Sequence, residues 1–251
     1  RVRTDPVARW SHPRWWIDRV RADWPDEWRP ILDAGRARPP LALRVNRQRC
    51  ARDDYQRRLG RVGITARPFG DVGLMLDKPV PVERLQGFAE GLVSVQDPAA
   101  QKAAELLDPA PGSRVLDACS APGGKTAHLL ERTDLDLLAL DLKPSRCRRV
   151  AENLDRLGLH ATLQAADCTR LDSWWDGRPF DSVLADVPCT ASGVVRRNPD
   201  TKWLRREADI AGFAATQARI LDALWQVVRA GGKLLYSTCS VFPEENAGQI
   251  S

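Results

Sequence analysis

The chain has 251 residues, 43% of them apolar, enough for a sizeable buried core in one large or two modest domains. Its net charge of +5 conceals an asymmetry, because residues 1–67 hold 17 Arg against 8 Asp or Glu while the remainder is net negative. No apolar run approaches a membrane span and no signal-peptide pattern opens the chain, so a soluble protein with reduced thiols in a cytoplasmic compartment is expected.

The basic end reads either as a polyanion-binding surface or as a solvated arginine-rich face. Five of the nine Trp stand there among arginines, from Trp10 to Trp28. Ser11 suits the N-cap of a helix over the next dozen residues, and Pro25 the first turn of another that stops at Gly35. Pro39 and Pro40 break that pattern. A strand from Leu41 to Asn46, a helix near 51–60 and a strand from Ile64 to Arg67 then predict a small β-α-β unit.

From Ser113 onward short apolar strands alternate with helices. Strands are expected at 114–118, 135–141, 161–165, 181–185 and 233–237, and helices at 124–132, 144–157 and about 209–229, the last ended by Gly231 and Gly232. This rhythm predicts an α/β fold with a doubly wound, mostly parallel sheet. Ligands of such sheets sit beyond the carboxyl ends of the strands, and Cys119, Asp141, Asp167, Asp186 and Cys239 all follow a strand.

The segment Cys119-Ser120-Ala121-Pro122-Gly123-Gly124-Lys125 joins a strand end to a helix start through a tight glycine turn. Backbone amides there can approach a polar ligand closely. A phosphate-binding loop of the G-x-x-x-x-G-K-T kind would need glycine at 119, so a nucleoside triphosphate is disfavoured. Asp141 is placed to accept hydrogen bonds from two ribose hydroxyls, and Asp167 to meet an adenine amino group. Turn and acids together predict an adenosyl ligand.

Asp186-Val187-Pro188-Cys189 follows the fourth strand and Ser237-Thr238-Cys239-Ser240 the fifth, so two cysteines converge on one edge. Such a pair suits methyl transfer to cytosine C5, a poor nucleophile until a thiolate adds to C6 and opens the 5,6 double bond. Charge then spreads onto N3 and O2, where the acid of Asp186 would neutralise it. Cys50, Cys147 and Cys168 read as small buried residues, and Cys119 as a packing or ligand-touching one. With no C-x-x-C pair and only three histidines, no metal site is expected.

With these residues in hand, the sequence resembles the RNA cytosine-C5 methyltransferases of the Sun or Fmu type, and within them the bacterial RsmB group acting on small-subunit (16S) ribosomal RNA. The likeness is carried by Pro39-Pro40-Leu41 with Arg44-Val45-Asn46, by Ser94 to Gln101, by the glycine turn and by both cysteine motifs. It implies a Rossmann-like fold and S-adenosylmethionine contacts from Cys119, Ser120, Ala121, Pro122, Gly123, Gly124, Lys125, Asp141, Arg146, Asp167 and Asp186. It further implies Cys239 as nucleophile, Cys189 as the cysteine that helps release product, and an RNA-side loop from Ala191 to Trp203.

Arg44, Arg47, Arg196, Arg197 and Lys202 are the expected RNA-binding residues, and Asn198 stands where the similar proteins usually carry histidine, which alone of the two can become cationic. The expected layout is a helical linker region over 1–38, a small α+β RNA-binding subdomain over 39–92 and a catalytic domain over 93–251. The similar proteins carry an N-terminal helical domain like the antitermination factor NusB and strands beyond the position of Ser251; the expectation is that this chain lacks both. Ribosomal RNA is the expected partner of a monomer. Two other readings stand: a DNA cytosine-C5 methyltransferase with Cys189 as nucleophile, and an idle RNA-binding protein, which would be marked by loss of Cys239 or Asp186, and neither is lost.

Overall fold

The computed structural model describes residues 5–250; the first four residues and Ser251, which closes the expected catalytic domain, lie outside them. The chain divides into two compact units, neither of them contiguous. The first comprises Arg1–Pro39, Val187–Asp222 and Ser237–Ser251, and the second Pro40–Asp186 and Ala223–Tyr236.

In the first unit, α1 (Pro6–Trp10), α2 (Arg14–Asp23) and α3 (Trp28–Ala34) follow in quick succession. Ser11 is not the N-cap of α2. It sits in the left-handed region at φ 54° and closes α1, while Pro13 precedes α2. Trp10, Trp16, Ile17, Val20 and Leu32 bury their side chains against Val195, Ile210 and Phe242. Full burial stabilises side chains of this kind by about 1.5–3 kcal/mol each. Residues expected as a linker are therefore part of a core, and much of the tryptophan excess is apolar packing. Guanidinium groups cover the rim, with Arg9 and Arg36 over Trp10 and Arg21 and Arg29 over Trp28.

The second unit holds two sheets. The smaller has the order β2-β3-β1-β4, built from β1 (Leu41–Val45), β2 (Ala66–Phe69), β3 (Gly73–Leu76) and β4 (Val93–Val95), every pair antiparallel. Helix α4 (Arg52–Arg61) buries Tyr55 and Leu59 in the same core as Leu43, Val45, Leu74 and Val93. The expected β-α-β unit is thus enlarged by β3 and β4, which are short and lack a strong alternation to announce them. Helix α5 (Pro98–Leu107) follows, capped by the Asp97 side chain accepting the Ala99 N–H at 3.1 Å.

The larger sheet has the order β7-β6-β5-β8-β9, with β5 (Arg114–Asp117), β6 (Asp136–Asp141), β7 (Thr162–Ala165), β8 (Phe180–Asp186) and β9 (Val228–Ser237). The pairs β5 with β6, β5 with β8 and β6 with β7 are parallel, as the strand and helix alternation requires. Helices α6 (Gly124–Arg132) and α7 (Pro144–Leu157) have the predicted bounds, and α7 buries Val150, Leu154 and Leu157 on one face. Helix α8 (Thr201–Leu204) is a single turn, and α9 (Ala208–Trp225) ends before the glycine pair rather than at it. Gly231, at φ 71°, and Gly232 lie inside β9, where a Cβ on Gly232 would stand 2.9 Å from the Asp181 carbonyl oxygen. Close approach to the neighbouring strand explains Gly232 and the left-handed backbone explains Gly231; neither ends a helix. Among the described residues no helix is long and apolar enough to cross a membrane.

Candidate active site

Register places the acidic residues of the second unit. Asp117 ends β5 opposite Ala139 and Leu184, so Asp141 and Asp186 each lie two residues further along the neighbouring strands. Asp141 in turn pairs with Ala165, two residues before Asp167. All four carboxylates therefore belong to the carboxyl edge of the sheet, where this architecture binds ligands.

The glycine turn is built on that edge. Ala118 N–H donates to Leu184 O at 2.9 Å and Ser120 N–H to Leu140 O at 2.8 Å, which ties the loop to two strands. Gly123 at φ 93° starts α6, and a Cβ there would stand 3.1 Å from Val150 Cγ1. Only glycine takes that conformation without strain.

Asp141 accepts the N–H of Ala121 and of Lys143, both at 3.3 Å, and pairs with Arg146 at 2.9 Å. Arg146 also donates to Ala121 O at 3.2 Å, so one arginine fastens acid and loop together. Lys125 donates to Asp186 at 2.5 Å, and one Asp167 oxygen accepts both the N–H and the hydroxyl of Thr169. Asp117 takes the Thr126 hydroxyl at 2.6 Å, yet burial pushes its carboxyl up to about 7. Cys119 and Cys168 are hydrogen-bonded thiols, a contact that pushes Cys119 up and draws Cys168 down.

An adenosyl ligand fits this edge. Ser120 Oγ and Asp117 Oδ1 are buried without a hydrogen-bond partner among the described residues, and the glycine turn leaves its helix start uncapped by a side chain. Asp141→Ala should raise the cofactor dissociation constant by about ten- to a hundredfold, the loss of a charge-assisted hydrogen bond worth about 1.5–3 kcal/mol. Calorimetry on the variant checks it, and undiminished affinity would refute the role.

The cysteine pair lies in the first unit. Cys189 Sγ and Cys239 Sγ are 3.3 Å apart; Cys239 is exposed and Cys189 is buried. The hydrogen bond with Cys239 holds Cys189 below the ordinary thiol range despite its burial. Gly193 N–H donates to Cys239 O at 2.7 Å, joining the two loops. Behind the thiols lies a group that the sequence reading missed. Glu245, wholly buried, accepts from Thr190, Gln217 and Ser240. The sequence offers little to find it, since two adjacent glutamates after Phe242 look like a solvated turn.

The expected RNA-binding set divides. Arg47 is exposed, and Arg196 and Arg197 are half-buried. Arg44 does not belong with them: its side chain is 0% exposed and is held by both oxygens of Glu131, by Gln96 and by Gly124 O. A guanidinium so enclosed is closed off from a phosphate in solution. Lys202 is likewise buried, and desolvation with the nearby Arg36 draws its ammonium down. Charge points to Arg44 and the family's RNA-side loop to Lys202, and neither signal reports burial.

Comparison with known proteins sets this geometry in context. Residues 104–251 match the family described as 16S rRNA methyltransferase RsmB/F, and residues 12–83 match an RsmF/B-like ferredoxin-like domain. The chain is 51% identical over 250 residues to the ribosomal RNA small subunit methyltransferase B of Pseudomonas syringae pv. tomato, covering 98% of this chain and 56% of that protein. It is 46% identical to the protein of the same name from Vibrio cholerae, covering 97% of this chain and 57% of the relative. It thus spans little more than half the length of these curated relatives. Among solved structures, a methyltransferase homolog protein from Pyrococcus horikoshii aligns with a TM-score of 0.84 at 31% identity, over 97% of this chain and 79% of that one. A second, NSun6 from the same organism with SFG, shares the fold with a TM-score of 0.85 at 21% identity, over 95% of this chain and 86% of that one.

Proposed function

Because the chain belongs to the RsmB/F family of 16S rRNA methyltransferases, we propose that it transfers a methyl group from S-adenosylmethionine to C5 of a cytosine in small-subunit ribosomal RNA through a Cys239–C6 adduct. The observation that carries this reading is the thiol pair, one sulfur exposed and one buried at 3.3 Å. Attack on an incoming base requires the reachable sulfur, which is Cys239. A buried thiol held low by its neighbour suits the opposite task, taking the C5 proton once the ring carries its methyl group. This assignment also argues against the DNA-enzyme arrangement, in which Cys189 would attack.

S-adenosylmethionine, when bound, supplies an electrophilic methyl group. The glycine turn from Cys119 to Lys125, with Asp141, Arg146 and Asp167, would hold it, and Arg47, Arg196 and Arg197 would meet RNA phosphates. In this reading residues 39–92 serve RNA binding and residues 93–251 catalysis, in a cytoplasmic monomer, while the helices of residues 1–38 pack in one core with Val195, Ile210 and Phe242. Tritium transfer from labelled cofactor to small-subunit ribosomal RNA, with DNA as the competing acceptor, tests the function. Label in DNA, or in neither, would overturn it.

Asp186, which accepts from the Lys125 ammonium at 2.5 Å, in this scheme relays a proton from that ammonium toward N3 as charge develops on the ring. Asp186→Asn keeps the size and loses the acid. RNA affinity should hold while turnover falls about a hundredfold or more, the scale of general acid catalysis. Single-turnover kinetics with a filter-binding isotherm separates the two, and comparable turnover would exclude the acid role.

A further inference from the structure

We propose that Glu245 is a positioning residue that holds Cys189 and Cys239 at contact distance by gathering the residues that follow each of them. The inference rests on the reading above for its relevance to catalysis, but its geometry lies wholly within the first unit. Thr190, next to Cys189, gives Glu245 its N–H at 2.8 Å and its hydroxyl at 2.5 Å. Ser240, next to Cys239, gives its hydroxyl to the same carboxylate. Gln217 donates its side-chain amide at 3.1 Å and, from the same nitrogen, reaches Pro188 O at 2.9 Å.

Ser192 closes the ring. Its hydroxyl lies 3.2 Å from that of Thr190 and 3.0 Å from that of Ser240, and it accepts the Val241 N–H at 2.8 Å. The two cysteine loops are thereby joined by a buried polar network centred on one side chain. A carboxylate at 0% exposure is costly unless its lone pairs are filled, and here donors from both loops fill them. Separating the loops would strip the carboxylate of those donors, so the network resists any change in the distance between the thiols. The role needs acceptor geometry rather than charge. A glutamine can present its oxygen to Thr190 N–H and its amide to the two hydroxyls, which can reverse their bonds.

The test reads the thiol pair without cofactor or RNA. Diamide converts two thiols to a disulfide, its azo bond taking up the two protons and two electrons, and peptide mapping by mass spectrometry measures the rate at which Cys189 joins Cys239. Proximity governs that rate. Glu245→Ala should slow it by roughly tenfold or more, whereas Glu245→Gln should stay within about threefold of the parent chain. Ser240→Ala, which removes one donor and leaves the rest, should fall between them and serves if the Glu245→Ala chain does not fold. Equal rates in the parent and both alanine variants, or a glutamine variant as slow as alanine, would overturn the proposal. Failure of the chain to methylate RNA would leave this result standing, so the two ideas fail separately.

Discussion

Cys239→Ala should abolish methyl transfer and leave no protein attached to RNA, while Cys189→Ala should methylate and then stall with RNA bound through Cys239. The argument follows from what each step leaves behind. Without an attacking thiolate the 5,6 double bond stays closed, C5 cannot take a methyl group, and turnover should drop by a factor on the order of 10⁴ or more, as when other enzymes lose their nucleophile. The buried partner cannot take over, because Cys189 is only 8% exposed. Without Cys189 the adduct still forms, but the base that removes the C5 proton is gone, and a slow band on a denaturing gel should mark the trapped complex. The double variant should lose that band. If the band came from Cys239→Ala instead, the roles would be reversed and the DNA-type arrangement would be the better description.

How much of this is legible in the sequence depends on the length scale of the signal. The bounds of α6 and α7 and the larger sheet followed from periodicity and glycine punctuation, which are local. The same local logic placed Asp141, Asp167 and Asp186 at strand ends, and the register confirms that edge. It failed where tertiary burial decides the outcome. Glycines 231 and 232 read as a helix stop because nothing local reveals that a Cβ on Gly232 would stand 2.9 Å from a neighbouring strand's carbonyl oxygen, or that Gly231 turns at a positive φ inside a strand. Ser11 reads as an N-cap because the left-handed closure of a preceding five-residue helix carries no pattern of its own. Glu245 and Arg44 are charged residues in the core, and charge predicts exposure unless a partner distant in sequence is known.

Arg44→Ala should therefore act on stability rather than on RNA affinity. The guanidinium meets Glu131 at 2.8 and 2.7 Å, Gln96 at 2.7 Å and the Gly124 carbonyl at 2.7 Å, with the two charged side chains 0% and 1% exposed. Truncating one member leaves Glu131 buried and unpaired, a loss of about 3–5 kcal/mol, large against the total stability of an ordinary domain. Urea unfolding of the parent and variant chains measures it. The companion Arg44→Met with Glu131→Leu removes both charges and should recover most of the loss, since an apolar pair of similar volume avoids the desolvation cost altogether. Because Gly124 opens α6 at the glycine turn, Arg44→Ala should also weaken cofactor binding. The dependence of RNA affinity on salt should not change, whereas Arg47→Ala, at an exposed position, should lower the slope of log affinity against log salt by about 0.7. A lowered slope with unchanged stability in Arg44→Ala would return that arginine to the RNA-facing set.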